Sequence, residues 1–184
     1  MRVIVLLFLQ LSASAVFADP KLWQTLASEP NMVVLMRHAP AGGGNGSIYD
    51  RSGKCRGERM LTADGRRLAV KIGAEFASYK IMPKVVTSPL CRARETARLA
   101  FRKFEIEPAL REIASADAAG VQEFGSAAKR LALKYRARQP LVMITHQPNI
   151  EVLSFELIEP GEAVVGRIND NGEIEILGRL SLVK

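Results

Sequence analysis

Three short apolar runs in the chain each lead into a residue that can bind or attack an anion. The runs and the residues that follow them are 32–36 with Arg37 and His38, 85–87 with Arg92, and 141–145 with His146. Apolar runs of this length, rich in β-branched residues, are typical of strands buried on both faces. Because chemistry in an open, mainly parallel sheet collects outside the carboxyl ends of the strands, we expect the two histidines to meet in one crevice.

Stretches with helical periodicity separate these strands. They predict helices over 20–28, 63–80, 89–102, 121–138 and 148–157. We expect Thr62 and Ser88 to cap the second and third of these helices. The remaining strands are predicted over 104–106, 163–168 and 173–180. Asn171 and Gly172, between the last two strands, are typical of a hairpin turn.

The alternation of strands and helices predicts an α/β fold. We expect a single domain, 19–184, built as a three-layer sandwich. In it, helices flank a mostly parallel sheet that ends in a C-terminal antiparallel hairpin. Two stretches, 39–61 and 109–122, are the hardest to assign, and long loops usually carry function, so we expect substrate specificity to lie there. The glycine-rich segment 42–46 is expected to provide flexibility, with a phosphate nest as the alternative.

Residues 1–18 have the pattern of a secretory signal peptide. Arg2 gives a positive start, residues 3–11 are apolar, and small residues precede the expected cleavage after Ala18. The apolar stretch is too short and too soon interrupted to span a bilayer well; a core helix or strand, or a retained anchor, is the alternative. We therefore expect a periplasmic or secreted protein with no stable membrane insertion after cleavage.

The net charge of +7 changes this picture little. A basic surface can attract nucleic acid, anionic lipid or phosphorylated ligands, but many of the basic residues recur at helical spacings and are expected to form solvated helix faces. The sequence contains neither a basic strand interleaved with aromatic residues nor zinc-finger spacing. We therefore expect no nucleic-acid partner.

Cys55 and Cys91 are the only cysteines. In an exported protein two cysteines can form a disulfide, which here would join the long loop to the segment before Arg92; two free thiols are the alternative. A cysteine-based phosphatase needs the pattern Cys-x5-Arg, and neither cysteine has an arginine six positions later. We therefore expect no thiolate nucleophile.

The residues at the predicted strand ends suit phosphate chemistry. A neutral imidazole such as that of His38 is a good nucleophile, but a phosphate monoester resists attack until the charges on its oxygens are neutralised. Arg37 and Arg92 can neutralise them because arginine stays charged and binds two oxygens at once, and their charge also disfavours protonation of His38. His146 can donate a hydrogen bond to a phosphoryl oxygen. The leaving oxygen needs a proton from a carboxylic acid.

Four segments of the chain resemble the motifs of one family, in the family's order. Residues 36–39, Met-Arg-His-Ala, resemble the Arg-His-Gly motif of the histidine phosphatase superfamily, the phosphoglycerate mutase-like proteins, with alanine in place of glycine. Residues 88–97 are similar to the second motif, Ser-x-Leu-x-Arg-Ala-x-x-Thr-Ala. Residues 145–146 resemble the second-histidine motif, and residues 61–66 the Leu-Thr-x-x-Gly segment that opens the first long helix.

The resemblance implies a phosphoglycerate mutase-like fold and a reaction in which His38 accepts the phosphoryl group. It also implies that Arg37, Arg92 and His146 complete the phosphate pocket and that no metal or organic cofactor takes part. The leader, the loop cysteine and the lack of a large cap insertion resemble small exported members such as lipopolysaccharide core heptose phosphatase-like proteins. We expect a small phosphorylated substrate, for which a sugar phosphate is one candidate.

The proton donor is the least defined part of the site. Glu112, in the sequence Leu-Arg-Glu at 110–112, best matches the position of a glutamate in the family. The alternatives are Asp117, Glu123 and Asp50. We expect Arg56 and Arg59 to be solvated loop charges, with contact to the substrate as the alternative, and Asn45 and Gln147 are weaker candidates for the pocket. Arg94 is expected to face solvent or to pair with Glu95 or another helix neighbour. Trp23 is expected to be a packing residue.

These features predict an exported phosphomonoesterase that works through a phosphohistidine on His38, with phosphotransferase or mutase activity left open. A phosphate or phosphosugar binding protein of the same fold with little turnover is the alternative, because the acid is undefined. A third hypothesis is a basic surface that binds nucleic acid or anionic lipid, in which the pocket is incidental.

Overall fold

The computed structural model of the protein describes residues 20–114, 117–180 and 182. The expected leader, 1–18, lies outside the described residues. In chain order the elements are α1 (Pro20–Ser28), β1 (Met32–Arg37), β2 (Ala41–Gly42), β3 (Met60–Leu61), α2 (Ala63–Ser78), β4 (Lys84–Thr87), α3 (Cys91–Phe101), β5 (Glu105–Ile106), a 3-10 turn (Pro108–Leu110), α4 (Ala118–Tyr135), β6 (Leu141–Thr145), α5 (Gln147–Ser154), β7 (Ala163–Ile168) and β8 (Ile174–Leu180).

Six strands form one sheet in the order β5-β4-β6-β1-β7-β8. The first four run parallel, whereas β7 is antiparallel to β1 and β8 is antiparallel to β7. Met36 of β1 and Thr87 of β4 both stand opposite Ile144 of β6, so the carboxyl ends of these three strands are level. The arrangement confirms the expected α/β fold with a mostly parallel sheet and a C-terminal hairpin.

Helices cover both faces of the sheet, which makes three layers. Because successive side chains of a strand point to opposite faces, β1 contributes to two cores. Val34 and Met36 pack with α1, α2 and α3, where Trp23 is fully buried. Val33 and Leu35 pack with α4 and α5. Among the helices that the structure describes, none combines the length and the apolar character needed to cross a bilayer.

The ends of α4 and α5 differ from those predicted. α4 begins at Ala118 rather than at 121, because the Asp117 carboxylate accepts the Ala119 N–H (3.2 Å) and caps the helix. It ends at Tyr135 rather than at 138. α5 ends earlier than the predicted 157, because Phe155 adopts the left-handed conformation with φ 58°.

The start of α3 also differs. It begins at Cys91 rather than at 89, with Leu90 in the N-cap position. Ser88 is therefore not the cap; its hydroxyl instead accepts the Leu90 N–H (3.2 Å). Thr62 does cap α2 as predicted, since its hydroxyl accepts the Gly65 N–H (3.0 Å), although α2 ends two residues before the predicted 80.

Two helical glycines provide a matched test of this packing. A Cβ at Gly73 in α2 would lie 2.2 Å from the carbonyl oxygen of Ala100 in α3, whereas a Cβ at Gly125 in α4 would meet no described atom within 4 Å outside its chain neighbours and the backbone of its own helix. We expect Gly73→Ala to lower the free energy of unfolding by about 2 kcal/mol, because the helix backbones must separate. Gly125→Ala should raise it by about 0.5–1 kcal/mol through helix propensity. Urea denaturation measures both, and an unchanged stability of Gly73→Ala would contradict the close helix contact.

Candidate active site

Residues from three strand ends meet at the carboxyl edge of the sheet. His38 directly follows β1, His146 directly follows β6, and Arg92 lies in the first turn of α3, just after β4. Parallel pairing continues beyond β1, since the His38 N–H donates to the Thr145 carbonyl (3.1 Å). The two imidazole rings have centroids 5.3 Å apart. The structure thus brings together the side chains that the sequence places far apart.

The hydrogen bonds of His38 define its tautomer. Nδ1 lies 2.8 Å from the backbone carbonyl oxygen of Ala39. A carbonyl oxygen only accepts, so Nδ1 carries the proton and Nε2 keeps its lone pair. That lone pair accepts the Nε–H of Arg92 (3.1 Å). His38 is therefore held in the neutral form that can attack phosphorus through Nε2.

Burial keeps both imidazoles neutral. The pKa of His38 is lowered to about 3, mainly by desolvation; the hydrogen bond to Ala39 opposes this shift, and the positive charges of Arg92 and Arg37 add to it. Desolvation likewise lowers the pKa of His146 well below its ordinary value, with smaller contributions from His38, Arg92 and Arg37. The guanidinium charges expected to disfavour imidazolium do so, but burial is the larger cause.

His146 is fully buried and is oriented by Ser88. Its Nε2 lies 2.7 Å from the Ser88 hydroxyl. That hydroxyl accepts the Leu90 N–H, so its own proton can be donated to Nε2 of His146, which leaves the imidazole proton on Nδ1. In that tautomer Nδ1 of His146 is a hydrogen-bond donor.

Three buried polar atoms of this cluster have no hydrogen-bond partner among the described residues. They are Arg37 Nε, Arg92 Nη1 and His146 Nδ1. The guanidinium of Arg37 is nevertheless fixed, because its Nη1 donates to the Ile158 carbonyl (2.8 Å). An unpaired buried donor costs about 1–3 kcal/mol. A cluster that gathers several such donors is suited to receive an anion.

Arg37, His38 and Arg92 line a cavity of about 610 Å³. Glu112 also lines it, and its carboxylate accepts a hydrogen bond from Arg92 Nη2 at 2.6 Å. Among the residues that the structure describes, Glu112 contributes the one carboxylate of the lining. The cavity thus offers a nucleophile, cationic donors and a carboxyl group within one space.

Two buried side chains fix the segment that carries Glu112. Asn149 of α5 donates to the Arg111 carbonyl (3.0 Å) and accepts the Ile113 N–H (3.3 Å). The Thr145 hydroxyl donates to the carbonyl of Leu110 (2.9 Å). The sequence interpretation missed Asn149, although its position three residues after His146 places it in the first turn of α5.

The alternative acids do not line this cavity. Asp117 caps α4, and Glu123 is an exposed residue on the same helix. The Asp50 carboxylate accepts the backbone N–H groups of Ser52 and Arg56 (2.9 Å each) and so stabilises its own loop. The geometry therefore leaves Glu112 as the candidate proton donor.

The long loop after His38 is tied to the start of α3 in two ways. Cys55 forms a disulfide with Cys91. Glu58 is buried, and its carboxylate accepts the Cys91 N–H (2.7 Å) and the Asp50 N–H (2.9 Å). The sequence interpretation missed Glu58. The one feature that could have indicated its role is that a carboxylate can accept hydrogen bonds from the unpaired N–H groups at the start of a helix.

The remaining sequence candidates divide into cavity and non-cavity residues. Arg59 lines the cavity, whereas Arg56, Asn45 and Gln147 are not part of its lining. The Gln147 side chain instead donates to the Glu156 carbonyl (3.0 Å) and accepts the Ile158 N–H (3.1 Å).

Of the alternatives expected for Arg94, the structure shows the contact with a helix neighbour: its Nη1 lies 3.9 Å from the sulfur of Cys91 in the same helix. Glu95 pairs instead with Arg66 (3.2 Å). Within the described part of the chain, no group of three or more His, Cys, Asp or Glu side chains is placed to hold a metal ion.

Comparison with known families gives one match that covers most of the chain. The model of the histidine phosphatase superfamily (branch 1) matches residues 33–170. The chain belongs to this superfamily. The four site residues expected from its motifs are those that the fold brings together: Arg37, His38, Arg92 and His146. A comparison with curated protein sequences returns no significant match.

Solved structures of three phosphatases share the fold of this chain at low sequence identity. The protein histidine phosphatase SixA complexed with tungstate is 17% identical, with a TM-score of 0.62 over 82% of this chain and 97% of that chain. The alpha-ribazole phosphatase from Shigella flexneri is 17% identical, with a TM-score of 0.62 over 83% and 97%. A phosphoserine phosphatase mutant from Entamoeba histolytica, in complex with phosphoserine, is 13% identical, with a TM-score of 0.60 over 82% and 97%.

The protonation of the site can be tested by NMR, because the chain has two histidines and an untagged sample shows two imidazole systems. With the pKa of His38 lowered to about 3 and that of His146 also lowered, we expect neither ring to titrate between about pH 5 and pH 8. Long-range ¹H–¹⁵N spectra should show His38 protonated on Nδ1. The urea-unfolded protein, as control, should titrate near about 6.5; a folded ring that does the same would refute the burial effect.

Proposed function

We propose that the protein is a phosphomonoesterase that transfers the phosphoryl group of a small phosphate monoester first to His38 and then to water. The observation that carries this proposal is the coincidence, in one site, of a neutral His38 Nε2 with unpaired donors of Arg37, Arg92 and His146. These donors can bind the oxygens of a tetrahedral anion, and the neutral nitrogen can attack its phosphorus.

In the first step the substrate phosphate takes the place of the internal partners of Arg92. Arg92 and Arg37 bind the phosphoryl oxygens, which frees Nε2 of His38 from the Arg92 Nε–H. Nε2 then forms a bond to phosphorus while the bond from phosphorus to the ester oxygen breaks. The leaving oxygen takes a proton from the carboxyl group of Glu112 and departs as an alcohol.

In the second step water releases the phosphate. The Glu112 carboxylate takes a proton from water, whose oxygen attacks phosphorus as the bond to Nε2 of His38 breaks. The phosphorylated ring is cationic because Nδ1 keeps its proton, and the hydrogen bond from Nδ1 to the Ala39 carbonyl (2.8 Å) stabilises that charge. The same carbonyl therefore fixes the nucleophile in the first step and the intermediate in the second.

We also propose an exported protein with a small organic phosphate as substrate. Residues 1–18 have signal-peptide character, leaving 19–184 as the catalytic domain, and the Cys55–Cys91 disulfide is of a kind that persists in oxidising compartments such as the periplasm. Tungstate, bound by SixA, is a tetrahedral oxyanion like phosphate. Because the chain resembles heptose phosphatase-like proteins, we propose sugar phosphates as the first class of substrate to assay.

The nucleophile is tested by removing it. We expect the protein to hydrolyse p-nitrophenyl phosphate in excess EDTA, and His38→Ala to lower kcat by at least about a thousandfold. Base-quenched wild type incubated with ³²P-labelled substrate should carry an acid-labile, base-stable label that His38→Ala lacks. Matching unfolding curves would exclude misfolding. Full activity of His38→Ala would reject the mechanism, and phosphate binding without turnover or label would favour a binding protein of the same fold.

The acid is tested with leaving groups of different basicity. Nitrophenolate departs without a proton whereas an alkoxide needs one, so we expect Glu112→Gln to lower kcat/KM for glycerol 3-phosphate about a hundredfold and that for p-nitrophenyl phosphate far less. Glu123→Gln, an exposed carboxylate outside the cavity, is the matched control and should leave both rates unchanged. Equal losses for the two substrates in Glu112→Gln would contradict the role of Glu112 as the acid.

A further inference from the structure

The cavity that holds the phosphate pocket extends beyond the residues used in the reaction. Its lining also includes Arg59 from the long loop, Arg111 from the segment before Glu112, and Tyr49. At about 610 Å³ the cavity falls in the range of pockets that enclose a whole small ligand. The substrate therefore has neighbours beyond its reacting phosphate.

The charge of the lining exceeds what one phosphate neutralises. Four guanidinium groups, those of Arg37, Arg59, Arg92 and Arg111, face the cavity together with the single carboxylate of Glu112. When a phosphate dianion is bound and Glu112 is ionised, one of the four positive charges is unbalanced. When Glu112 is protonated, ready to donate to the leaving group, two are unbalanced. A second anionic group on the substrate would balance this charge, although the side chains of Arg59 and Arg111 are themselves exposed at the cavity.

Arg59 and Arg111 lack carboxylate partners among the described residues. Nine other Lys and Arg side chains in the described part of the chain form ion pairs with Asp or Glu. An arginine that lines a cavity with its charge unpaired is available to a ligand, because its planar donor fork fits carboxylate and phosphate oxygens.

Both guanidinium groups are positioned by their neighbours. Three guanidinium atoms of Arg59 lie 3.4–3.6 Å from the place that a Cβ on Gly46 would occupy, so the group faces the open side of that glycine. The guanidinium carbon of Arg111 is 6.0 Å from the ring centre of Tyr49, within the range of cation–π attraction. The charge of Arg59 also lowers the pKa of His38 and of Arg92, which places it close to the phosphate pocket.

We propose that Arg59 and Arg111 form a second anion subsite, so that the preferred substrate carries a further phosphate or carboxylate group besides the phosphate ester that is cleaved. The inference deepens the proposed phosphatase function and rests on it for turnover, but not for binding. It assigns to Arg59 a role in substrate selection. The sequence alone favoured the alternative, in which Arg59 is a solvated loop charge.

Two pairs of substrates that differ by one anionic group test the subsite. Glucose 1,6-bisphosphate is compared with glucose 6-phosphate, and 3-phosphoglycerate with glycerol 3-phosphate. We expect the wild type to favour the more anionic member of at least one pair by about tenfold in kcat/KM, as one charge-assisted hydrogen bond allows. The pair that shows the preference tells whether the second group is a phosphate or a carboxylate.

Variants assign the preference to the subsite. Arg59→Gln and Arg111→Gln should each bring the ratio within a pair down by about tenfold. Arg56→Gln is the matched control, since it removes one charge from the same loop outside the cavity lining, and it should keep the wild-type ratio. A ratio that falls equally in Arg56→Gln would show a general charge effect and overturn the assignment.

Binding measurements separate this proposal from the phosphatase function. Isothermal titration of the same four compounds into His38→Ala gives ratios of Kd that do not depend on turnover. A preference in binding without hydrolysis by the wild type would support the subsite and reject the phosphatase. Hydrolysis of p-nitrophenyl phosphate with no preference within either pair, in rate or in Kd, would reject the subsite and leave the phosphatase standing.

Discussion

The site depends on the parallel pairing of β6 with both β1 and β4. That pairing runs past the strands, through the His38 N–H to the Thr145 carbonyl (3.1 Å) and the Ser88 N–H to the Ile144 carbonyl (2.9 Å). It sets both imidazoles and the start of α3 level at one edge of the sheet. The buried polar cluster that results costs free energy, which the apolar cores on both faces of the sheet offset.

The sequence predicts well those parts of the molecule whose sequence pattern has a single physical interpretation. A continuous apolar run bounded by polar residues is a buried strand, and a reactive residue directly after it must lie at the edge of the sheet. His38 and His146 meet this condition, so their meeting could be foreseen. Arg92 follows its strand at a distance, and its selection over Arg94 depended on the family motif rather than on periodicity.

The parts that the sequence predicts poorly depend on contacts between distant residues. Glu58 stands in a loop with no periodic pattern, and its acceptor role depends on where the start of α3 lies. The beginning of α4 depends on a cap by Asp117 that extends the helix beyond its apolar pattern. The dominance of desolvation in the pKa of His38 likewise requires the burial of the ring, which no local pattern contains.

The ties between the long loop and α3 join the two halves of the site. The Cys55–Cys91 disulfide and the buried carboxylate of Glu58 attach the loop to the helix turn that contains Arg92. Arg59 immediately follows Glu58 in sequence, so the residue proposed to select the substrate and the residue proposed to bind its phosphate are held by the same connection. A covalent tie limits the freedom of a glycine-rich loop, which keeps both groups in register and reduces the entropy lost when the substrate binds.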